Sequence, residues 1–125
     1  MPGEFDLVFS DEFNGTELGS AWYPNRWFAT NCSRGANADE EQIYTSRASN
    51  VMVAGGSLHL IAQRESYHCA EWNESRPYTP GWEQTGGSRD ILGNNAPVGF
   101  TCKVGCFVEA RVRMPAGAVT FPAVW

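Results

Sequence analysis

Apolar and polar residues alternate in several short stretches of this chain, and no window repeats an apolar residue at the three-to-four spacing of an amphipathic helix. The clearest alternation runs from residue 107 to 114, where Val108, Ala110, Val112 and Met114 interleave with Glu109, Arg111 and Arg113. Successive side chains of a strand point to opposite faces, so this stretch predicts one antiparallel strand with those four residues toward the core. Pro115 and Gly117 end it, and Glu109 and Arg111, on the polar face, are placed to form an ion pair. In Ser57-Leu-His-Leu-Ile-Ala-Gln63 the same period puts Leu58, Leu60 and Ala62 on one face and His59, Ile61 and Gln63 on the other. Residues 50 to 53 precede it across Gly55-Gly56, which predicts a hairpin closed by a tight turn. Residues 42 to 45 read as a further short strand, and Asp6 to Thr16 as an edge strand that enters a loop at Asn14-Gly15. Trp22 to Ala38 shows no period and reads as an aromatic loop. Residues 64 to 100, rich in Gly, Pro, Asn and Ser with Cys69 and Cys102 near the margins, read as a long disulfide-tethered loop. The class is all-β.

Composition narrows the function. With 125 residues, 42% hydrophobic and 18% charged, the chain has the balance of a globular domain, although β-sandwiches often take about 200 to 250 residues as one unit. The net charge of −5 comes without a run of Lys or Arg, which argues against nucleic acid or an anionic membrane surface as partner. No stretch approaches the about 18 apolar residues of a membrane span. Cys32, Cys69, Cys102 and Cys106 form an even set without the CxxC pairs of a zinc site, so two disulfides are expected. Three pairings are open, with Cys106 expected to join Cys69 or Cys32. The sequons Asn14-Gly-Thr, Asn31-Cys-Ser and Asn73-Glu-Ser agree with a secreted, extracellular protein; the start, Met1-Pro-Gly-Glu-Phe-Asp6, has no apolar stretch of signal length, so a signal peptide is expected to have been omitted or the start not to be the natural one. His59 and His68 lack partners at metal spacing and read as surface residues. Sixteen aromatics, five of them Trp, supply flat rings that can fill a core or stack on the C–H faces of sugars.

Four segments, taken in order, resemble glycoside hydrolase family 16, the laminarinase-like endo-β-1,3-glucanases. They are Leu7-Val-Phe-Ser-Asp-Glu-Phe-Asn-Gly15, then Asp39-Glu-Glu-Gln-Ile-Tyr-Thr45 with Asn50-Val-Met-Val-Ala-Gly-Gly-Ser-Leu-His-Leu60, then Glu109-Ala-Arg-Val-Arg-Met-Pro-Ala-Gly117, and last Phe121-Pro-Ala-Val-Trp125. The resemblance implies an antiparallel β-sandwich of jelly-roll, concanavalin A-like type with a sugar-binding cleft. It also implies retaining cleavage of internal bonds in β-1,3- or mixed-linkage glucan. The family's catalytic strand, Glu-x-Asp-x-Glu or Glu-x-Asp-x-x-Glu, follows a Trp-Pro-Ala-x-Trp stretch, and this sequence stops at Trp125. Residues 1–125 are thus expected to be the N-terminal part of one such domain, with the sandwich incomplete and no catalytic residue in this chain. Retaining hydrolysis needs two carboxyl groups about 5 Å apart. The acidic cluster Asp39-Glu40-Glu41 instead sets neighbours on opposite faces of an extended chain.

By the same resemblance, Trp125 and Phe121 would stack on sugar near the scissile bond, and Arg89 would touch it. Glu40 and Gln42, two apart on one face, could bind sugar hydroxyls or form a solvated edge, and Asp39 stands where relatives place a substrate-binding Asn. Glu12 and Gly56 match positions that hold a structural calcium in the family; no cofactor is otherwise required. The expected partner is β-glucan or a related neutral polysaccharide. The alternative readings are a non-catalytic β-glucan-recognition protein of the same fold and a truncated fragment without function.

Overall fold

The computed structural model describes residues 5–24, 32–34, 39–86, 99–117, 120 and 122–124. The chain divides into two compact units, Leu7–Thr101 and a second made of Met1–Asp6 with Cys102–Trp125. Among the described residues all regular structure is strand and lies in the first unit. In order these are β1 (Tyr23–Pro24), β2 (Cys32–Arg34), β3 (Ile43–Thr45), β4 (Val51–Ala54), β5 (Ser57–Leu60), β6 (Gln63–Cys69), β7 (Glu74–Thr79) and β8 (Glu83–Gln84). They pair antiparallel as β1 with β8, β2 with β3, β4 with β5 and β6 with β7. β3 is joined to β7 by a parallel bridge between Gln42 and Tyr78, and the Thr45 N–H donates to the Pro80 carbonyl at 3.4 Å.

The β4–β5 hairpin follows its sequence pattern. Val51 and Val53 are buried and pair with Leu60, itself 50% exposed, and with half-buried Leu58, while Met52 pairs with His59, both exposed. Gly55 and Gly56 turn the chain with φ of +58° and +70°, the left-handed values that side chains resist and a two-residue hairpin loop requires.

The stretch after it departs from expectation: residues 64 to 100 are not one long loop, because β6 and β7 form the longest hairpin. Its inward positions in β6 are Gln63, Glu65, Tyr67 and Cys69, alternating with exposed Arg64, Ser66 and His68. A period of two is present, but mostly polar residues carry it, so a hydrophobicity pattern does not register it. The ladder shifts between Arg64 and Tyr67, opposite Pro77. Proline has no N–H to donate, and a bulge accommodates it inside a ladder. Asn73 closes the tip at φ +48°, with the Trp72 N–H donating to Cys69 and the Asn73 N–H to Ala70.

Cys32 of β2 is joined to Cys69 of β6, so the tether of this hairpin runs to β2 and not to Cys102. Cys102 pairs with Cys106 across a separation of 4, which corrects the expected link of Cys106 to Cys69 or Cys32. The buried cluster of Cys32, Ile43 and Cys69, with Tyr67 and Trp72 packed against it, is the core that this disulfide staples.

Four further expectations fail. Asp6 to Thr16 forms no ladder; it is held by Asp11, whose carboxylate accepts from the Phe13 N–H at 2.8 Å and the Trp22 Nε1–H at 2.7 Å. The segment from Trp22 to Ala38 is not all loop, since β1 and β2 lie within it. Residues 107 to 114 are no strand in this structure, and Val108, Val112 and Met114 are 63%, 49% and 51% exposed, with Ala110 also exposed. Alternation makes a stretch able to be a strand, but a ladder needs a neighbour's N–H and C=O groups, and among the described residues no strand pairs with these. The ion pairs among the described residues are Arg47 with Glu65 and Arg76 with Glu74, not Glu109 with Arg111.

Candidate functional site

The chain leading into β3 is extended, and burial alternates along it: Asp39 and Glu41 are exposed, Glu40, Gln42 and Tyr44 half-buried, Ile43 and Thr45 fully buried. Burying Ile43 and Thr45 turns Glu40, Gln42 and Tyr44 to the opposite face as a row. Gln42 Nε2 donates to Glu40 Oε2 at 2.8 Å and to Tyr44 Oη at 3.2 Å, so the amide orients both neighbours. Because Tyr44 Oη accepts there, its own proton remains available to a ligand oxygen. The Trp82 ring meets the Tyr44 ring edge-on with centroids 5.1 Å apart. Burial, first of all, raises the Tyr44 hydroxyl above its ordinary pKa; the Gln42 hydrogen bond opposes this and the Glu40 charge adds to it. The phenol is therefore neutral in neutral water. Carboxylate, amide, phenol and two rings along one half-exposed edge are groups that can accept from, donate to and stack on a neutral sugar.

A buried polar knot behind this edge fixes it. Asn50, wholly buried, donates through Nδ2 to the carbonyls of Ile61 and Thr79, and its Oδ1 accepts from Thr45 Oγ1 and from Arg47 Nη2 at 3.0 Å. Arg47 also pairs with Glu65, donates to Thr45 and Thr79, and lies 4.6 Å over the Tyr67 ring. Thr79 Oγ1 in turn donates to Glu65. Hydrogen bonds, Arg47 before Thr79, hold the Glu65 carboxyl below its ordinary pKa. One knot thus ties β3, the turn before β4, β6 and β7 together. Gly81 lets the chain after β7 pass so close that an added Cβ would lie 2.2 Å from the Asn50 carbonyl oxygen.

Of the residues singled out in the sequence, Glu40 and Gln42 are brought together, and Asp39 is exposed beside them without joining their hydrogen bonds. Trp125, Phe121 and Arg89 lie outside the described residues. Tyr44 and Trp82 were not singled out. Tyr44 could have been found from its place two residues past Gln42 on the same face, whereas only the tertiary structure brings Trp82 to Tyr44. His59 and His68 are exposed surface residues, bonded to the Ala54 carbonyl and to Ser75 Oγ.

Glu12 is exposed in the opening segment, and Gly56 sits in the β4–β5 turn. These two offer a carboxylate and a carbonyl, against the about six to eight oxygens that calcium takes. Among the described residues, the grouping of His, Cys, Asp or Glu ligand atoms is Cys32, Cys69 and Glu71, and its two sulfurs form a disulfide. Among the described residues, Glu12 and Gly56 supply only part of a calcium shell.

No family model matches the chain. It is 30% identical over 122 residues to the β-glucanase of Rhodothermus marinus, covering 97% of this chain and 35% of that protein. It is 32% identical over 124 residues to the glucan endo-1,3-β-glucosidase A1 of Niallia circulans, covering 96% of this chain and 17% of that protein. Among solved structures, LamA of Zobellia galactanivorans in complex with laminaritriose and laminaritetraose superposes with a TM-score of 0.50 at 29% identity, over 62% of this chain and 31% of that one. The chain therefore spans about a third or less of the proteins it matches. Over that shared part, the chain is similar to a β-glucanase, to a glucan endo-1,3-β-glucosidase and to LamA.

Proposed function

We propose that these residues form a glucan-binding part of an endo-acting glycoside hydrolase that cleaves internal bonds of β-1,3- or mixed-linkage glucan. The observation that carries the proposal is the row Glu40, Gln42 and Tyr44 with the Trp82 ring against it. Neutral polysaccharide offers hydroxyls and C–H faces and no charge, and this edge presents hydrogen-bonding groups and rings. The names of the relatives above support glucan as the polymer. In this reading the nucleophile and acid/base of a retaining mechanism lie outside the 125 residues, because Asp39, Glu40 and Glu41 alternate between exposed and half-buried sides and do not face one another as a pair. Two disulfides and three sequons support export.

Titration calorimetry with laminari-oligosaccharides tests the reading. Gln42→Ala removes the amide that orients both neighbours, and a net hydrogen bond contributes roughly 0.5–1.5 kcal/mol. Loss of one or two should weaken binding by about three- to tenfold or more. Tyr44→Phe should give a smaller loss in the same direction. No binding by the parent chain, or unchanged binding by Gln42→Ala and Tyr44→Phe together, would overturn the proposal.

A further inference from the structure

The described residues of the three sequons differ in exposure. Asn73 occupies the tip of the β6–β7 hairpin in the left-handed region at φ +48°, exposed, with Ser75 exposed two residues on. Glu74 between them is paired to Arg76, and the Ser75 hydroxyl is hydrogen-bonded to His68 Nδ1 at 3.0 Å on the solvent side. Asn14, Gly15 and Thr16 are likewise exposed, in the bend after Asp11 and Phe13. The sequon at Asn31 differs. Its middle residue, Cys32, is 1% exposed and bonded to Cys69, and its acceptor-site hydroxyl residue, Ser33, is 4% exposed in β2 opposite Tyr44.

We infer that Asn73 and Asn14 are N-glycosylation sites of this chain and that Asn31 is not. The transferred group is an oligosaccharide carried on a polyprenyl diphosphate. The Asn73 Nδ2 forms a bond to C1 of the first sugar, the C1–O bond to phosphate breaks, the amide loses one proton, and the lipid diphosphate leaves with the electron pair. Such a transferase must seat the Asn-x-Ser/Thr tripeptide in an extended, accessible form; Asn14, Gly15 and Thr16 are exposed in a bend, Asn73 is exposed at the hairpin tip, and Ser75 is exposed among the first, turn-side residues of β7. At the third sequon the Cys32–Cys69 bond and the core around it bury Cys32 and Ser33 as soon as they form. The glycan at Asn73 would project from the hairpin tip, four residues from the disulfide that anchors the hairpin.

The test is secretion of the chain from a eukaryotic host, followed by peptide mass spectrometry of the unmutated protein and by amidase release of the glycans. The expected result is glycan on Asn73 and Asn14 and an unmodified Asn31 peptide. Ser75→Ala, which leaves Asn73 in place, should remove one glycan, and Asn31→Gln should remove none. Adding reductant during synthesis, which delays the Cys32–Cys69 bond, should bring glycan onto Asn31. An unmodified Asn73 or Asn14 in the secreted protein, or Asn31 glycosylated under oxidising conditions, would overturn the inference.

Discussion

Replacing Cys32 and Cys69 together by alanine should destabilise the Leu7–Thr101 unit far more than the same change at Cys102 and Cys106 affects the protein. The reason lies first in the unfolded chain. A cross-link removes loop-closure entropy that grows with the logarithm of the loop, and the separations are 37 and 4. The chain-entropy relation gives about 4 kcal/mol for the longer loop and about 2 kcal/mol for the shorter. The folded state widens the difference. Cys32 and Cys69 are 1% and 0% exposed against Ile43, Tyr67 and Trp72, so the double variant also loses two buried sulfurs, whereas Cys102 and Cys106 are exposed. A domain of this size has about 5–15 kcal/mol in total, so the first change removes a large share of it. Urea unfolding followed by Trp fluorescence measures the effect: with a slope of about 1–3 kcal/mol/M, 4 kcal/mol moves the midpoint down by about 1–4 M. Alanine avoids burying a hydroxyl, so the shift reports the staple and the core. Equal midpoints for the two double variants, or a shift under about 0.5 M for Cys32→Ala with Cys69→Ala, would refute this account.

Gly81→Ala places a methyl 2.2 Å from a backbone oxygen that cannot rotate away, and should cost about 1–3 kcal/mol, read as a lower urea midpoint; an unchanged midpoint would show that the chain slides there freely. Glu65 is held below the ordinary carboxyl pKa of 4.5, so the folded state binds its proton more weakly than the unfolded state does. Its contribution is present above that value and is lost as pH falls through the folded value, so Glu65→Gln should flatten the acid side of a stability profile measured from pH 6 downward. An acid side as steep as that of the parent would rule out the Arg47–Glu65 pair as its source. The 125 residues by themselves should release no reducing sugar from laminarin above background, because general acid and base help alone is worth about 10²–10⁴ in rate and Asp39, Glu40 and Glu41 alternate between exposed and half-buried sides. Turnover like that of ordinary endoglucanases would point back to Asp39, Glu40 and Glu41.

The sequence alone determined features that depend on local geometry. Period-two alternation and Gly55-Gly56 specified the β4–β5 hairpin and its register, since a one-residue slip would turn Val51 and Val53 out to water. The even cysteine count specified two disulfides, and the spacing of Glu40 and Gln42 put them on one face. Tertiary structure decided the rest. Which cysteines pair depends on which strands meet: Cys69 reaches Cys32 because β6 packs its inward face on Ile43. The β6–β7 hairpin escaped the hydrophobic pattern because Glu65 and Arg76 occupy inward positions, where they form ion pairs with Arg47 and Glu74. The Arg47–Asn50–Thr79 knot joins residues up to 32 positions apart, and no local signal marks them as partners. Residues 107 to 114 show the converse: their alternation is strong, yet among the described residues no strand pairs with them and Val108, Val112 and Met114 stay exposed, so periodicity alone does not make a strand.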